Sequence, residues 1–236
     1  MSVAHGLPTD FNPASYDALV VGAGYAGAVC ARMLAEGSNY RVAVLERRGH
    51  IAGNAYDYAD EAGVLVHLYG PHIYHTYDER VHQFLTRFTD FTDYQHKVLA
   101  NVYGTLMPVP FNHQSLLLAF GDEKGERLYR KLVSTFGENK KVPILELRQK
   151  NDSELAEVAD YVYENVFLHY TMKQWGRPCT ELPAFIIRRL PVRLTFDNNY
   201  FNALFQGIPM GGYTRMVERM LGGIEVRLGE DYAPGS

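Results

Sequence analysis

The 236-residue chain is 47% hydrophobic and 21% charged, enough apolar content for a real core in one or two domains. Its net charge of −4 gives no electrostatic case for nucleic acid or an anionic membrane, so an anionic ligand must be held by local cations. Two cysteines, Cys30 and Cys179, exclude a disulfide framework and point to a reducing cytoplasm. Met1–Ala14 is polar, lacks a basic start and an apolar stretch, and reads as a loose leader rather than a signal peptide. No run of 18 apolar residues occurs, so no membrane-spanning helix is expected.

The rest of the chain is organised around the stretch from Tyr16 to Glu46. A short apolar run, Ala18–Val21, meets Gly22-x-Gly24-x-x-Gly27. A helical pattern continues through Val29, Met33 and Leu34 and is stopped by Gly37-Ser38-Asn39. A second strand, Val42–Leu45, ends on Glu46. Gly22 permits the tight turn, Gly24 lets a pyrophosphate approach the backbone, and Gly27 lets helix and strand pack closely. The helix N-terminus offers free N–H groups and a positive dipole end to phosphates. A carboxylate at position 46 can accept from both ribose hydroxyls and would repel a 2′-phosphate, so FAD or NAD fits better than NADP. Arg47 and Arg48 either flank that ribose or phosphate or are solvated. Gly53 and Asn54 fall in a glycine-bearing loop of the kind that commonly continues the cofactor site in flavoproteins of the glutathione-reductase type, although Ala52-Gly53 stands here where paired glycines are often found.

Gly63–Leu68 reads as a strand and Asp78 as the cap of a helix running to about Phe88. His96–Val102 and Thr105–Val109 read as a hairpin around Tyr103-Gly104. From Asn112 the pattern turns helical over Leu116–Phe120, Glu126–Phe136 and Ser153 to about His169, with Pro143-Ile144-Leu145 opening a short link. This block interrupts the α/β pattern and reads as an inserted domain. A return to the sheet is expected near Phe196–Phe205, then a helix at Tyr213–Leu221 and a strand at Ile224–Leu228.

His67, His72 and His75 lie close together, but the ligand set for a metal is incomplete, and no metal is expected. A loop packed against a cofactor ring is the stronger reading, and a merely structural loop is the bland one. Arg188, Arg189 and Arg193 surround Leu190-Pro191, shortly after an aromatic stretch that ends in the single Trp175. Three such arginines cannot all be core, and guanidinium groups bind phosphates bidentately. Aromatic platform, arginine cluster and Tyr200 in sequence suggest a nucleoside diphosphate, with base stacked and pyrophosphate clamped.

In order along the chain stand VGAGYAG (21–27), YGPHIYHT (69–76), VPFN (109–112), YTMKQWG (170–176), RRLPVR (188–193) and FDNNYF (196–201). On these residues the chain closely resembles the bacterial UDP-galactopyranose mutases, from Tyr16 to about Leu228. The resemblance implies a Rossmann-like FAD-binding domain of the glutathione-reductase type, over 15–111 and 194–236, after a flexible leader at 1–14. A mainly helical domain over 112–193, carrying a mobile substrate loop, is inserted into it. Family members continue well beyond this chain's end, so the C-terminal part of the fold is expected to be missing and the fragment to be inactive alone.

The same resemblance implies a cytoplasmic isomerase of cell-wall biosynthesis that interconverts UDP-galactopyranose and UDP-galactofuranose with no net redox change. Reduced FAD is required: its N5 attacks the anomeric carbon, UDP leaves, and the sugar–flavin adduct opens and recloses before UDP returns. By position, Gly22, Gly24, Gly27, Glu46, Arg47, Gly53, Asn54 and His72 fall to the cofactor. Asn112, Phe167, Tyr170, Thr171, Trp175, Arg189 and Tyr200 fall to the substrate. Phe167 and Tyr170 would hold uracil, Trp175 would face the sugar, and Arg189, helped by Tyr200, would close on the diphosphate. Arg189, His72 and His75 form the catalytic set. Homo-oligomer formation is left open. The competing readings are an FAD-dependent oxidoreductase of the amine-oxidase type and a non-catalytic nucleotide-sugar-binding fragment.

Overall fold

The computed structural model describes residues 11–177, 181 and 191–232, apart from the side chains of Gln174 and Trp175. In chain order, β1 (Ala18–Val21), α1 (Tyr25–Gly37) and β2 (Val42–Glu46) are followed by β3 (Asp57–Ala59), β4 (Leu65–His67), β5 (Tyr74–Thr76) and α2 (Glu79–Leu85). Next come the hairpin β6 (Val98–Val102) and β7 (Thr105–Val109), then α3 (His113–Phe120), α4 (Asp122–Phe136), β8 (Lys141–Val142) and α5 (Ile144–Arg148). A helix of three parts comes after them: α6 (Ser153–Val162), a π-turn (Tyr163–Phe167) and α7 (Leu168–Trp175). The last elements are β9 (Val192–Arg193), β10 (Phe205–Gly207), α8 (Tyr213–Met220) and β11 (Glu225–Leu228).

These elements form two compact units, Met1–Tyr94 with Ala203–Ser236, and Gln95–Asn202. The first is built on a parallel sheet ordered β1-β2-β11, in which Ala18 stands beside Val42 and Glu225 beside Ala43. All five residues of β2 are buried, as a central parallel strand covered on both faces requires. Ala28 and Ala31 of α1 pack with Met216, Val217 and Met220 of α8 against Val42 and Val44. β1, by contrast, is paired on one side only among the described residues.

The opposite face of the sheet corrects one expectation. Residues 11–14, read as part of a loose leader, are packed. Phe11 is 7% exposed, lies against Ala43 and Leu45, and stacks on the Tyr16 ring at 5.4 Å. Asn12 caps the short turn at Pro13–Ser15 by accepting from Ala14 N–H. A polar composition concealed one aromatic that fills the space beside Ala43. Residues 1–10 lie outside the described residues.

α2 is also shorter than expected. Asp78 caps it, but the helix ends at Leu85, not Phe88. The Thr86 hydroxyl donates back to His82 and Gln83 carbonyls, competing with the helix ladder, and Phe88 turns into the core.

The second unit takes in the β6–β7 hairpin as well as the helices, so it is wider than the insertion expected at 112–193. Val102, Met107 and Val109 of the hairpin share one core with Leu116, Leu128, Leu132, Leu155 and Val158. The long helix extends past His169 to Trp175 and is closed by Gly176 at φ 62°. Its π-turn adds one residue to a turn, which brings both Val166 and Phe167 into the core after Val162. The expected strand near Phe196–Phe205 is loop up to Phe205. Asp197 accepts from Asn199 N–H and from Asn202, and Thr195 accepts from Asp197 N–H, so side chains take the backbone groups a ladder would use.

Candidate functional site

In the first unit the chain turns from β1 into α1 at Gly22, with φ at 99°. A Cβ on Gly27 would stand 1.8 Å from the Gly22 carbonyl oxygen, so helix and turn can approach only with glycine at 27. Gly24 caps α1 without a side chain, leaving the first-turn N–H groups open to an anion. The loop carrying Gly53 and Asn54 is tied to this turn by Ala52 N–H donating to the Ala23 carbonyl at 2.9 Å.

A cleft of about 360 Å³ opens at the ends of β1 and β2, lined by Gly22, Glu46, Arg47, Arg48, Gly53 and Asn54, with Glu230 and Asp231 at its rim. Glu46 is buried. Its two oxygens accept from Ala23 N–H at 2.8 Å and Arg48 N–H at 2.9 Å. A carboxylate has about four acceptor sites, so two remain for vicinal hydroxyls. An acidic acceptor beside a bare helix N-terminus fits a ribose followed by a pyrophosphate.

Of the two arginines, Arg47 is exposed. Arg48 is half-buried, its guanidinium 4.8 Å from the Tyr69 ring centre, and its Nη1 is buried with no partner among the described residues. An unsatisfied buried guanidinium N–H in the cleft wall adds Arg48 to the cofactor candidates. The sequence set Arg48 beside Arg47, two residues beyond Glu46, but β2 ends at Glu46 and strand spacing does not say which arginine turns inward.

The histidine segment lies in the same unit. His75 is exposed in β5, opposite Gln206. His72 is half-buried and lines a second cleft of about 360 Å³ with Tyr25, Ile73, Tyr74, Phe91 and Tyr213. The Tyr25 hydroxyl there is buried without a partner among the described residues, and burial pushes its pKa upward. Among the described residues no group of three His, Cys, Asp or Glu could hold a metal ion.

In the second unit, Asn112 is fully buried and caps α3: its oxygen accepts from Ser115 N–H, and its amide donates to the Asp197 carbonyl and to Asn198. The residue expected to line a nucleotide pocket is thereby engaged at both ends, and it ties α3 to the loop that carries Tyr200. Phe167 is 1% exposed in the core and Thr171 is buried, whereas Tyr170 is 48% exposed. Tyr200 is half-buried and edge-on to His96 at 5.6 Å. Arg193 is buried and donates to the carbonyls of Asn199 and Tyr200 at 2.9 and 2.6 Å, which makes it the residue that holds this loop. Arg188, Arg189 and the side chain of Trp175 lie outside the described residues.

Residues 20–88 match the NAD(P)-binding Rossmann-like domain family, and residues 165–235 match the UDP-galactopyranose mutase family. The fold and the cleft at Glu46 therefore define a Rossmann-type dinucleotide-binding protein. Relatives refine this. The chain is 39% identical over 219 residues to a probable UDP-galactopyranose mutase of Klebsiella pneumoniae, covering 92% of the chain and 56% of that protein. It is 37% identical over 215 residues to the dTDP-fucopyranose mutase of Escherichia coli, covering 90% and 56%. It is 35% identical over 221 residues to the UDP-galactopyranose mutase of Mycoplasma genitalium, covering 91% and 53%. A crystal structure of reduced UDP-galactopyranose mutase shares the fold, with a TM-score of 0.61 at 17% identity over 89% of this chain and 47% of that one. The chain belongs to the UDP-galactopyranose mutase family and spans about half the length of the relatives it matches. Among the described residues no helix is long and apolar enough to cross a membrane.

Proposed function

We propose that the protein is a flavin-dependent isomerase that interconverts UDP-galactopyranose and UDP-galactofuranose, with FAD held in the cleft at Glu46. The observation that carries this reading is where the mutase family match falls. Residues 165–235 include Tyr170, Trp175, Arg189 and Tyr200, the substrate candidates, and extend well beyond the glycine turn that many dinucleotide-binding proteins share. The dTDP-fucopyranose relative, at 37% identity, places the base and the sugar among the features that vary within the family.

Reduced flavin, when bound, supplies a nucleophilic ring nitrogen for the anomeric carbon. The chain's own residues bind and orient. Glu46 accepts from the adenosine ribose, the α1 N-terminus and the Gly22–Gly27 turn receive the pyrophosphate, and Arg47, Arg48, Gly53 and Asn54 close the cleft around it. His72 and His75 belong to the flavin side. Tyr170, the most exposed of the aromatic candidates with a described side chain, stacks on the uracil, backed by Phe167 and Thr171. Trp175 faces the sugar. Arg189 and Tyr200 hold the diphosphate of the leaving UDP and keep it placed for return, a matter of positioning and charge. Extended to the length of its relatives, the protein should convert UDP-galactofuranose under dithionite while consuming no electron acceptor. Stoichiometric loss of an acceptor, or no change of ring size, would overturn the assignment.

Two side chains carry further expected outcomes. Glu46→Ala should weaken FAD by about 1–3 kcal/mol, the scale of a hydrogen bond to a charged group. Because Glu46 also satisfies two backbone N–H groups, Glu46→Gln is the companion variant, retaining one acceptor at lower loss. Flavin titration checks both, and equal FAD affinity in all three proteins refutes the role. Tyr170→Ala should weaken UDP by about 1–3 kcal/mol, as for deletion of one base-stacking aromatic, with flavin content unchanged. UDP titration followed by Trp175 fluorescence decides between a ligand platform and an exposed surface tyrosine.

A further inference from the structure

A buried carboxylate that the flavin and sugar roles leave unused sits below the histidine segment. Asp57 is 3% exposed. Its oxygens accept from Tyr213 N–H at 2.7 Å and Thr214 N–H at 2.8 Å, and so cap α8. The approach is close enough that a Cβ on Gly212, at φ 97°, would meet the carboxylate at 2.7 Å. Its Oδ2 also stands 4.0 Å from Nε2 of His67, beyond a hydrogen bond but within strong charge–dipole range.

Hydrogen-bond chemistry fixes both histidine tautomers. Nδ1 of His67 accepts from His72 N–H at 3.0 Å, so a neutral His67 carries its proton on Nε2, the nitrogen that faces Asp57. Nδ1 of His72 lies 2.9 Å from the Gly70 carbonyl, which can only accept, so that nitrogen carries the proton and Nε2 is bare. The His72 carbonyl in turn accepts from the Tyr213 hydroxyl at 3.0 Å. One carboxylate thus stands behind both grips on residue 72, the His67 ring and the Tyr213 side chain.

We infer that Asp57 is a positioning residue, which orients His67 and Tyr213 so that His72 presents a bare Nε2 to the cleft it lines. The group this site takes is an N–H or O–H donor on a planar ligand edge, with the Tyr25 hydroxyl in the same cleft, unpartnered among the described residues, as a donor for an adjacent acceptor. The inference rests on His72 belonging to the flavin side, but the chain's own histidines can be read without flavin or sugar nucleotide.

The test is long-range ¹⁵N correlation spectroscopy on the 236-residue chain at about pH 8.5, where ordinary imidazoles are neutral. His72 should appear with its proton on Nδ1 and His67 with its proton on Nε2. His67→Phe removes the acceptor for His72 N–H without touching the α8 cap. Exchange of that amide should accelerate about five- to tenfold, the scale of one lost hydrogen bond, and FAD titration should show weaker binding. His67→Asn, whose side-chain oxygen can replace Nδ1, should restore both. Asp57→Asn should shift His67 toward the Nδ1–H form; if that variant does not fold, the His67 pair still decides. A wild-type His72 protonated on Nε2, or an amide at 72 unmoved in His67→Phe, overturns the inference. Failure of the ring-size assay in the protein extended to its relatives' length, with these tautomers in place, would instead count against the mutase reading.

Discussion

Gly27→Ala is expected to abolish FAD binding and to lower stability by about 3 kcal/mol or more, at the severe end of point substitutions. The added Cβ would stand 1.8 Å from the Gly22 carbonyl oxygen and 3.0 Å from its carbon. Both obstacles are backbone, so no rotamer change relieves them. Either α1 moves off β1 or the Gly22 turn opens, and either disperses the N–H groups meant for the pyrophosphate. Gly37→Ala is the control. It lies in the same helix with nothing within 4 Å of its added Cβ, and should be neutral or stabilising by up to about 1 kcal/mol. Urea midpoints and flavin titration on the two variants give the comparison. A Gly27→Ala midpoint level with that of Gly37→Ala would mean that the turn is not the rigid cradle described.

The second large effect concerns the leaving group. In the protein extended to the length of its relatives, Arg189→Ala should cut turnover by about 10²–10³-fold, the range seen when one preorganised charge-stabilising donor is removed, with flavin spectra and dithionite reduction intact. Arg189→Lys keeps the charge but loses the planar fork, so it should already be impaired. The neighbouring arginines now fall into different kinds. Arg193 is buried and grips two loop carbonyls, so Arg193→Ala should read first as lost stability and a displaced Tyr200. Arg188→Ala is the informative comparison. Normal turnover in Arg189→Ala with a collapse in Arg188→Ala would move the diphosphate role by one position.

What could be read from the sequence and what could not divide along physical lines. The glycine turn, the helix to Gly37, the strand ending on Glu46, the β6–β7 hairpin and the final helix–strand pair rest on local chemistry that tertiary context does not override. Arg193 was legible only as one charge among three. Its burial depends on carbonyls at Asn199 and Tyr200 in a loop whose side-chain turns replace the strand expected there. Phe167 and Tyr170 carry the same aromatic signal, yet the π-turn that ends at Phe167 sends that ring into the core and leaves Tyr170 facing water. Phe11 could not be placed because its pocket is made by Ala43 and Leu45, more than thirty residues later. Arg48 was visible beside Arg47, but which of the two turned inward was decided by the ring of Tyr69.

The one-sided pairing of β1 has a practical consequence. Ala-Leu-Val-Val is a sequence suited to the middle of a sheet, yet its outer flank carries ladder N–H and C=O groups with no strand among the described residues to receive them, and Val21 is 57% exposed. Such a flank recruits any extended segment that reaches it, including the same flank of another molecule. Concentrated preparations of the 236-residue chain by itself should therefore cloud or enlarge with time, and a peptide that lies along Ala18–Val21 should keep them clear.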